Sequence, residues 1–182
     1  MINKFARRRA LGATKILVMV WGSNLNLTNR TFMEILTKSA RQTKKLGEVL
    51  AKKIRCKGNK KALVFGLVGD LGGGKTTFLQ GFARGLGIKR KILSPTFVIM
   101  KRYQLTDYPI EKLSNFYHFD CYRIRKPKEI LDLGFKKIIS GPKNIIASEW
   151  AERIKKILPQ NTIWINFEFV DKNKRKIKIS KK

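Results

Sequence analysis

The segment that most constrains the fold is Gly69-Asp-Leu-Gly-Gly-Gly-Lys-Thr76, which matches the P-loop pattern G-x-x-x-x-G-K-[ST]. A continuous apolar run at residues 61–68 precedes it, and apolar residues at helical spacing follow it, namely Phe78, Leu79, Phe82, Ala83 and Leu86. The order of strand, glycine loop and helix is typical of sites where backbone N–H groups and a helix N-terminus face phosphate oxygens. The sequence therefore predicts a phosphate-binding loop at residues 69–76.

The remaining pattern predicts an α/β fold, a single P-loop NTPase-like domain with a mixed β-sheet flanked by helices and a C-terminal β-hairpin. One helix is expected from a capping box at Ser39 and Gln42, a second to end at Gly87, and a third to start at Pro127 and break at Gly134. Strands are expected at residues 34–37, 61–68, 96–105, 113–123 and 144–147, with the hairpin at 162–170 and 175–180 around a polar turn.

The net charge of +29, from 41 Lys and Arg against 12 Asp and Glu, favours polyanionic partners. A lysine-rich genome would give the same surplus, so both explanations stay open. Two cysteines, Cys56 and Cys121, are too few for a disulfide framework and predict free thiols in a reducing cytoplasm. No apolar run approaches the roughly 18–20 residues that span a bilayer. We therefore expect a cytoplasmic protein without a membrane partner.

Five side chains are candidates for nucleotide chemistry. In the loop, Lys75 is expected to neutralise the β- and γ-phosphates and Thr76 to ligate Mg²⁺, so the expected cofactors are ATP and Mg²⁺. Hydrolysis needs further groups. Asp120 and Glu149 each follow an apolar strand, and we expect the first to hold Mg²⁺ and the second to orient or deprotonate water. Thr96 is a candidate γ-phosphate sensor. Either carboxylate taken alone also fits a surface acid or a strand-end cap.

Further motifs follow in a fixed order along the chain: Thr43-x-x-Leu46-Gly47, Ser94-Pro-Thr-Phe97, Tyr117-His-Phe-Asp-Cys-Tyr-Arg123, Leu133-Gly-Phe135 and Glu149-Trp-Ala-Glu-Arg153. Together with the loop, they resemble the TsaE family from about residue 33 to residue 170. Members of that family are the small ATPase component of the bacterial machinery that makes threonylcarbamoyladenosine in tRNA. The resemblance implies ATP hydrolysis coupled to a threonylcarbamoyl-transfer protein complex, with tRNA reached through that complex.

The resemblance also implies roles for individual residues. It places Thr96 in a switch-like loop, Asp120 in the Walker-B-like position, and Glu149 in a catalytic or Mg²⁺-linked position. The implied metal residues are Thr76, Glu149 and Asp120, and the implied nucleotide contacts are Thr43, Asp70, Leu71, Gly72, Gly73, Gly74, Lys75, Thr76 and Thr77. Trp150 either belongs to this site or packs the sheet end. We interpret His118 as a strand residue bonded to the backbone, with a catalytic role as the alternative.

Two other functions compete with this interpretation. A small-molecule kinase would need a lid, for which residues 101–114 with Arg102 are the best candidate. An RNA-binding module would explain the charge but not the loop, and no aromatic-rich RNA-recognition signature is present.

Three regions are expected. Residues 33–170 form the P-loop ATPase domain, and residues 171–182 form a basic hairpin strand and tail. Residues 1–32 hold six Lys and Arg and no acid. We expect a basic extension there, disordered or not translated because synthesis starts at Met33; a nucleic-acid arm or a vestigial targeting segment are the alternatives.

Overall fold

The computed structural model describes residues 32–55, 61–105 and 113–181. Its strands are β1 (Phe32–Thr37), β2 (Leu63–Val68), β3 (Met100–Gln104), β4 (Asn115–Asp120), β5 (Asn144–Glu149), β6 (Ile163–Phe169) and β7 (Arg175–Lys181). Its helices are α1 (Ala40–Arg55), α2 (Lys75–Gly85), α3 (Lys128–Leu131) and α4 (Phe135–Ser140), followed in sequence after β5 by a kinked 3₁₀ segment, Ala151–Ile157. The predictions for residues 1–31 and for Cys56 lie outside the described residues.

The seven strands form one mixed sheet in the order β1-β7-β6-β2-β5-β4-β3. Strands β6, β2, β5 and β4 are parallel, and the pairs β1–β7, β6–β7 and β3–β4 are antiparallel. The predicted α/β fold with a mixed sheet and a C-terminal hairpin is confirmed. Asp120 and Glu149 are register partners at the ends of β4 and β5, and Glu149 also pairs with Leu67 of β2. Because parallel strands end at the same edge of a sheet, both acidic residues lie at that edge.

Helices cover both faces of this sheet. On one face α1 and α2 pack over a buried cluster that includes Phe65, Phe82 and Phe116. On the other face α3, α4 and the 3₁₀ segment cover a second cluster built around Phe119 and Phe135. Both faces of β2 and β5 are therefore buried, as their continuous apolar sequences predict.

Helices α1 and α2 approach so closely that glycine is needed where they cross. A Cβ atom on Gly81 would lie 1.8 Å from the carbonyl oxygen of Lys44, and one on Gly47 would lie 2.2 Å from that of Phe78. The packing of α2, which begins with the last residues of the P-loop pattern, thus depends on small residues in both helices.

The expected strand at residues 96–105 is wrong in its first half. Residues 96–99 form a turn in which Val98 and Ile99 both donate their N–H groups to the Pro95 carbonyl, at 2.9 and 2.7 Å, and Ile99 has φ 62°. These bonds remove the N–H groups from the sheet, so β3 starts only at Met100. The lid candidate at 101–114 is wrong over residues 101–104, which belong to β3; residues 106–112 lie outside the described part of the chain.

Other local predictions are confirmed. Gln42 donates its N–H to the Ser39 hydroxyl at 3.2 Å, and the helix predicted after Pro127 breaks at Gly134, which has φ 77°. Cys121 is a free, buried thiol, and burial is the main cause that raises its pKa to about 12. Among the described residues, none of the helices is long and apolar enough to cross a lipid bilayer.

Candidate functional site

Residues 69–76, which we call the glycine loop, connect β2 to α2. Gly69 and Gly74 have φ 136° and 99°, values that side chains strongly disfavour. A Cβ atom on Gly69 would also lie 2.3 Å from the Phe167 carbonyl oxygen. Gly74 is the N-cap of α2 and gives it no side-chain acceptor, so the first-turn N–H groups stay available to an anion.

Lys75 is a buried cation at the start of α2, with 5% of its surface exposed. Its Nζ donates to the carbonyl oxygens of Gly69 at 2.6 Å and Asp70 at 2.9 Å, and lies 3.9 Å from the centre of the Trp150 ring. Burial lowers the pKa of Lys75, and nearby carboxylates, Glu149 foremost, oppose that shift. The ammonium group is therefore held inside the loop by neutral acceptors, where an anionic ligand would be a better partner.

Trp150 follows β5 directly and has φ 57°. Its ring lies against the Lys75 ammonium and 5.0 Å from the Tyr122 ring. Trp150 therefore packs at the sheet end and also contacts the loop lysine.

Glu149 connects the loop to the interior of the sheet. Its carboxylate accepts from the Thr76 hydroxyl at 2.8 and 3.0 Å, and its Oε1 lies 2.9 Å from His118 Nε2. Both Glu149 and His118 are almost fully buried, at 2% and 0% exposure. Because an ionised carboxylate only accepts, this geometry fits the His118 tautomer that carries its proton on Nε2.

The prediction that His118 bonds to the backbone is wrong. His118 is paired with Ala147 in the register of β4 and β5, so the backbone groups around it serve the sheet ladder. Its side chain reaches the carboxylate at the end of the neighbouring strand instead. Among the described residues, His118 Nδ1 finds no hydrogen-bond partner.

Asp120 and the segment 94–96 form a second cluster beside Glu149. Asp120 Oδ2 accepts from the Thr96 hydroxyl at 2.6 Å and from the Ser94 hydroxyl, and Oδ1 accepts from the Tyr122 N–H at 2.9 Å. The structure therefore places the Thr96 side chain against Asp120. Because Asp120 is the register partner of Glu149, Thr96 lies at the same sheet edge as Glu149.

The other predicted contacts surround the loop. Thr43 is buried, its hydroxyl lies 2.8 Å from that of Thr37, and its methyl group is 3.8 Å from where a Cβ on Gly74 would lie. Its hydroxyl is thus used within the protein, and its side chain lies beside the end of the glycine loop. Asp70 and Leu71 are exposed in the loop, with Leu71 at 81%, and Thr77 is half-buried in the first turn of α2.

Sequence reasoning missed Arg175, the first residue of β7. Its Nε and Nη2 donate to the Gly72 carbonyl at 3.2 and 3.0 Å, while its Nη1 donates to those of Asp171 and Lys174. Arg175 therefore ties the hairpin to the glycine loop. No local signal marks it, because the contact joins residues 103 positions apart.

The oxygen atoms at this edge fit a hard cation. Thr76, Glu149 and Asp120 offer only hydroxyl and carboxylate oxygens, which Mg²⁺ prefers over nitrogen or sulfur. Within the part of the chain that the structure describes, no group of three or more His, Cys, Asp or Glu side chains could hold a metal by itself. A bound Mg²⁺ would therefore take further ligands from phosphate and water.

Comparisons with known proteins agree with one another. The family model for "Threonylcarbamoyl adenosine biosynthesis protein TsaE" matches residues 37–177. Relatives named tRNA threonylcarbamoyladenosine biosynthesis protein TsaE include one from Rickettsia felis, 37% identical over 78% of this chain and 75% of the relative. One from Treponema pallidum is 31% identical over 81% of this chain and 100% of its own length. The crystal structure of Bacillus subtilis YdiB superposes with a TM-score of 0.65 at 30% identity, covering 84% of this chain and 87% of YdiB.

Proposed function

The chain belongs to the TsaE family of tRNA threonylcarbamoyladenosine biosynthesis proteins, and from that premise we propose that it binds ATP with Mg²⁺ at the glycine loop and hydrolyses it. The observation that carries the proposal is the contact between the Thr76 hydroxyl and the Glu149 carboxylate beside the buried Lys75. A loop that only turned the chain would not need a buried ammonium and a buried carboxylate at its mouth.

Binding rests on the loop and the helix that follows it. The uncapped N–H groups at the start of α2 and the Lys75 ammonium would face the phosphates. The Thr76 hydroxyl would ligate Mg²⁺, which when bound neutralises charge on the phosphates. Arg175 keeps the loop in place from outside, because it occupies the outward-facing Gly72 carbonyl.

Hydrolysis would use Glu149 to orient or deprotonate the attacking water. His118 acts through Glu149 as a positioning residue, since its Nε2 holds one carboxylate oxygen while Thr76 holds the group from the loop side. Asp120 fixes the Thr96 hydroxyl near this edge, where Thr96 would sense the γ-phosphate. The Asp120 carboxylate would also contact Mg²⁺ through a bridging water molecule.

We further propose that the threonylcarbamoyl-transfer protein complex binds next to this site and accelerates hydrolysis, with tRNA reached in that assembly. Large apolar side chains are exposed beside the two site segments: Leu71 at 81% in the loop, and Phe97 at 83% and Val98 at 57% after Thr96. Contiguous exposed apolar patches commonly mark protein interfaces, and here apolar side chains are exposed in both segments of the site. A partner that covered them would contact both the loop and the sensor segment.

A small-molecule kinase is the alternative function, but nothing in the part of the chain that the structure describes favours it. The proposed lid begins with β3, which pairs with β4 along its whole length and holds Arg102 at the sheet edge.

The deciding experiment is a partner pull-down with and without ATP, followed by phosphate-release assays of the protein alone and with the recovered partner. We expect slow hydrolysis alone and faster hydrolysis with the partner. Equal rates in both, together with phosphorylation of a small molecule, would replace the ATPase proposal by the kinase alternative.

A further inference from the structure

Residues 94–99, which we call the switch segment, hold a strained backbone turn next to the candidate site. The Met100 N–H donates to the Val98 carbonyl at 2.6 Å, and the residue between them, Ile99, has φ 62°. A turn of this kind with positive φ is rare and strained, and a β-branched residue tolerates it least. The structure around the turn must therefore hold Ile99 in a conformation that its own side chain disfavours.

Asp120 holds the switch segment from the neighbouring strand. Its carboxylate accepts from the hydroxyl groups of Ser94 and Thr96, the latter at 2.6 Å, and its backbone N–H donates to the Ile99 carbonyl at 2.9 Å. Both ends of the segment are thus fastened to one residue. Hydrogen bonds to a carboxylate are stronger than those between neutral groups, so the two hydroxyl contacts offset the strain at Ile99.

An extended alternative to the turn is already half formed. The register of β3 and β4 pairs Met100 with Phe119, and its continuation would pair Ile99 with Asp120. One of the two ladder bonds of that pair exists, since the Asp120 N–H donates to the Ile99 carbonyl. The reciprocal bond does not form, because the Ile99 N–H donates to Pro95 instead. Rotation of Ile99 to an extended φ would complete the pair and lengthen β3.

The sequence of the switch segment fits the extended form. Residues 96–99 are threonine, phenylalanine, valine and isoleucine, which all favour strands. Ile99 and Met100, neighbours in the chain, now both pack against the second buried cluster, under α3 and α4. Alternation along a strand would turn Ile99 to the opposite face and bring Val98, now 57% exposed, into its place. One branched apolar side chain would therefore replace another in that cluster.

Burial of Ile99 is the simplest other explanation for the turn. The turn does cover part of that side chain, but it leaves Phe97 83% exposed and Val98 57% exposed. A gain in apolar burial therefore does not explain it. Nor does burial of Ile99 require the two hydroxyl contacts that fasten the other end of the segment to Asp120.

We propose that the switch segment is a two-state element that Asp120 latches in the strained turn, and that release of the Thr96 hydroxyl lets residues 97–99 join β3. The inference rests on the proposed function for its natural trigger, a γ-phosphate that competes with Asp120 for the Thr96 hydroxyl. Because Phe97 and Val98 belong to the segment, release would also change the apolar surface beside the candidate site.

Amide hydrogen exchange of the full-length protein, resolved by residue with NMR, separates the two states. In the latched turn both Val98 and Ile99 donate to the Pro95 carbonyl, at 2.9 and 2.7 Å. In the extended form Ile99 would donate to Asp120. The Val98 N–H would then point away from β4 into solvent, since β3 is the outer strand of the described sheet. Faster exchange at Val98 with continued protection at Ile99 is therefore the signature of the extended form.

Thr96→Val removes one latch hydroxyl with little change in shape, and Thr162→Val is the matched control. The Thr162 hydroxyl also makes a 2.6 Å bond, to the Pro159 carbonyl, just before β6 at the sheet edge opposite the glycine loop. Loss of a hydrogen bond to a charged acceptor shifts such an equilibrium by about 10–150-fold. We expect Val98 exchange to rise by roughly tenfold or more in Thr96→Val and to stay unchanged in Thr162→Val.

Ser94→Ala removes the other latch hydroxyl and should give the same pattern as Thr96→Val. Unchanged Val98 exchange in both variants would overturn the proposal. Faster exchange at Val98 and Ile99 together would also overturn it, because the segment would then fray without joining β3.

Nucleotide provides the second arm of the test. In the wild type, the ATP analogue AMP-PNP with Mg²⁺ should speed Val98 exchange, and ADP with Mg²⁺ should not. Bound AMP-PNP with unchanged Val98 exchange would overturn the γ-phosphate trigger. Calorimetry that shows no binding of either nucleotide would refute the ATPase proposal, whereas the comparison of variants without nucleotide decides the two-state proposal by itself.

Discussion

Replacing His118 by leucine tests whether the buried imidazole positions Glu149. Leucine fills a similar volume but cannot donate, so Glu149 loses the 2.9 Å contact to Nε2 and keeps the one from Thr76. A hydrogen bond to a charged group contributes about 1.5–3 kcal/mol. If that contribution is needed mainly in the transition state, kcat should fall by roughly 10–150-fold. The loss should be smaller than that of Glu149→Gln, because one of the two contacts survives.

Rescue distinguishes positioning from packing. His118→Gln can place its amide nitrogen near the Nε2 position and donate to the same oxygen, so it should recover most of the activity. Phosphate release in the presence of the partner complex gives kcat and KM, and a thermal melt of each variant reports stability. A folded His118→Leu protein with wild-type kcat would refute the reasoning, as would equal losses in the leucine and glutamine variants.

The remaining predictions concern the loop, the carboxylate and the helix crossing. Lys75→Ala should leave a folded protein that binds ATP–Mg²⁺ weakly and does not hydrolyse it; undiminished affinity in calorimetry would remove its phosphate role. Glu149→Gln should bind ATP but turn over about 10²–10⁴-fold more slowly in phosphate release, while loss of Mg²⁺-dependent binding would make Glu149 a metal residue instead. Gly81→Ala should destabilise the protein despite the better helix propensity of alanine, because its Cβ would lie 1.8 Å from the Lys44 oxygen. Overpacking costs about 1–3 kcal/mol or more, which in a chain of this size lowers Tm by several degrees, and a scan showing an unchanged Tm would contradict it.

Structural features that are determined by a short stretch of sequence could be predicted. The glycine loop, the apolar strands beside it and the hairpin each depend on neighbouring residues, and the structure has all of them. The break at Gly134 was also visible, because a glycine within an apolar-periodic segment can take the φ of 77° found there. The order of motifs was enough for the family, which the comparisons confirm.

The contacts that could not be predicted from the sequence depend on which strands are neighbours in the sheet. The partner of His118 is fixed by the pairing of β4 with β5, and Arg175 meets Gly72 only because β7 lies near the loop in space. The turn at 96–99 contains Val98 and Ile99, two residues that favour strands, and two hydrogen bonds to Pro95 override that preference. The proposed roles of Lys75 and Glu149 stay predictions for the experiments above, and that of Asp120 stays a prediction.

The place of β7 between β1 and β6 has a consequence for synthesis on the ribosome. Thr37 in β1 donates its hydroxyl to the Arg175 carbonyl across 138 residues, so one edge of the sheet joins distant parts of the chain. Until β7 emerges, β1 lacks its strand partner, β6 presents an open edge, and the glycine loop lacks the Arg175 contact. Such late, non-local pairing slows folding and leaves strand edges exposed to other chains. A nascent chain stalled before residue 175 should therefore be prone to aggregation, and synthesis of β7 would complete both the sheet pairing of β1 and β6 and the support of the loop.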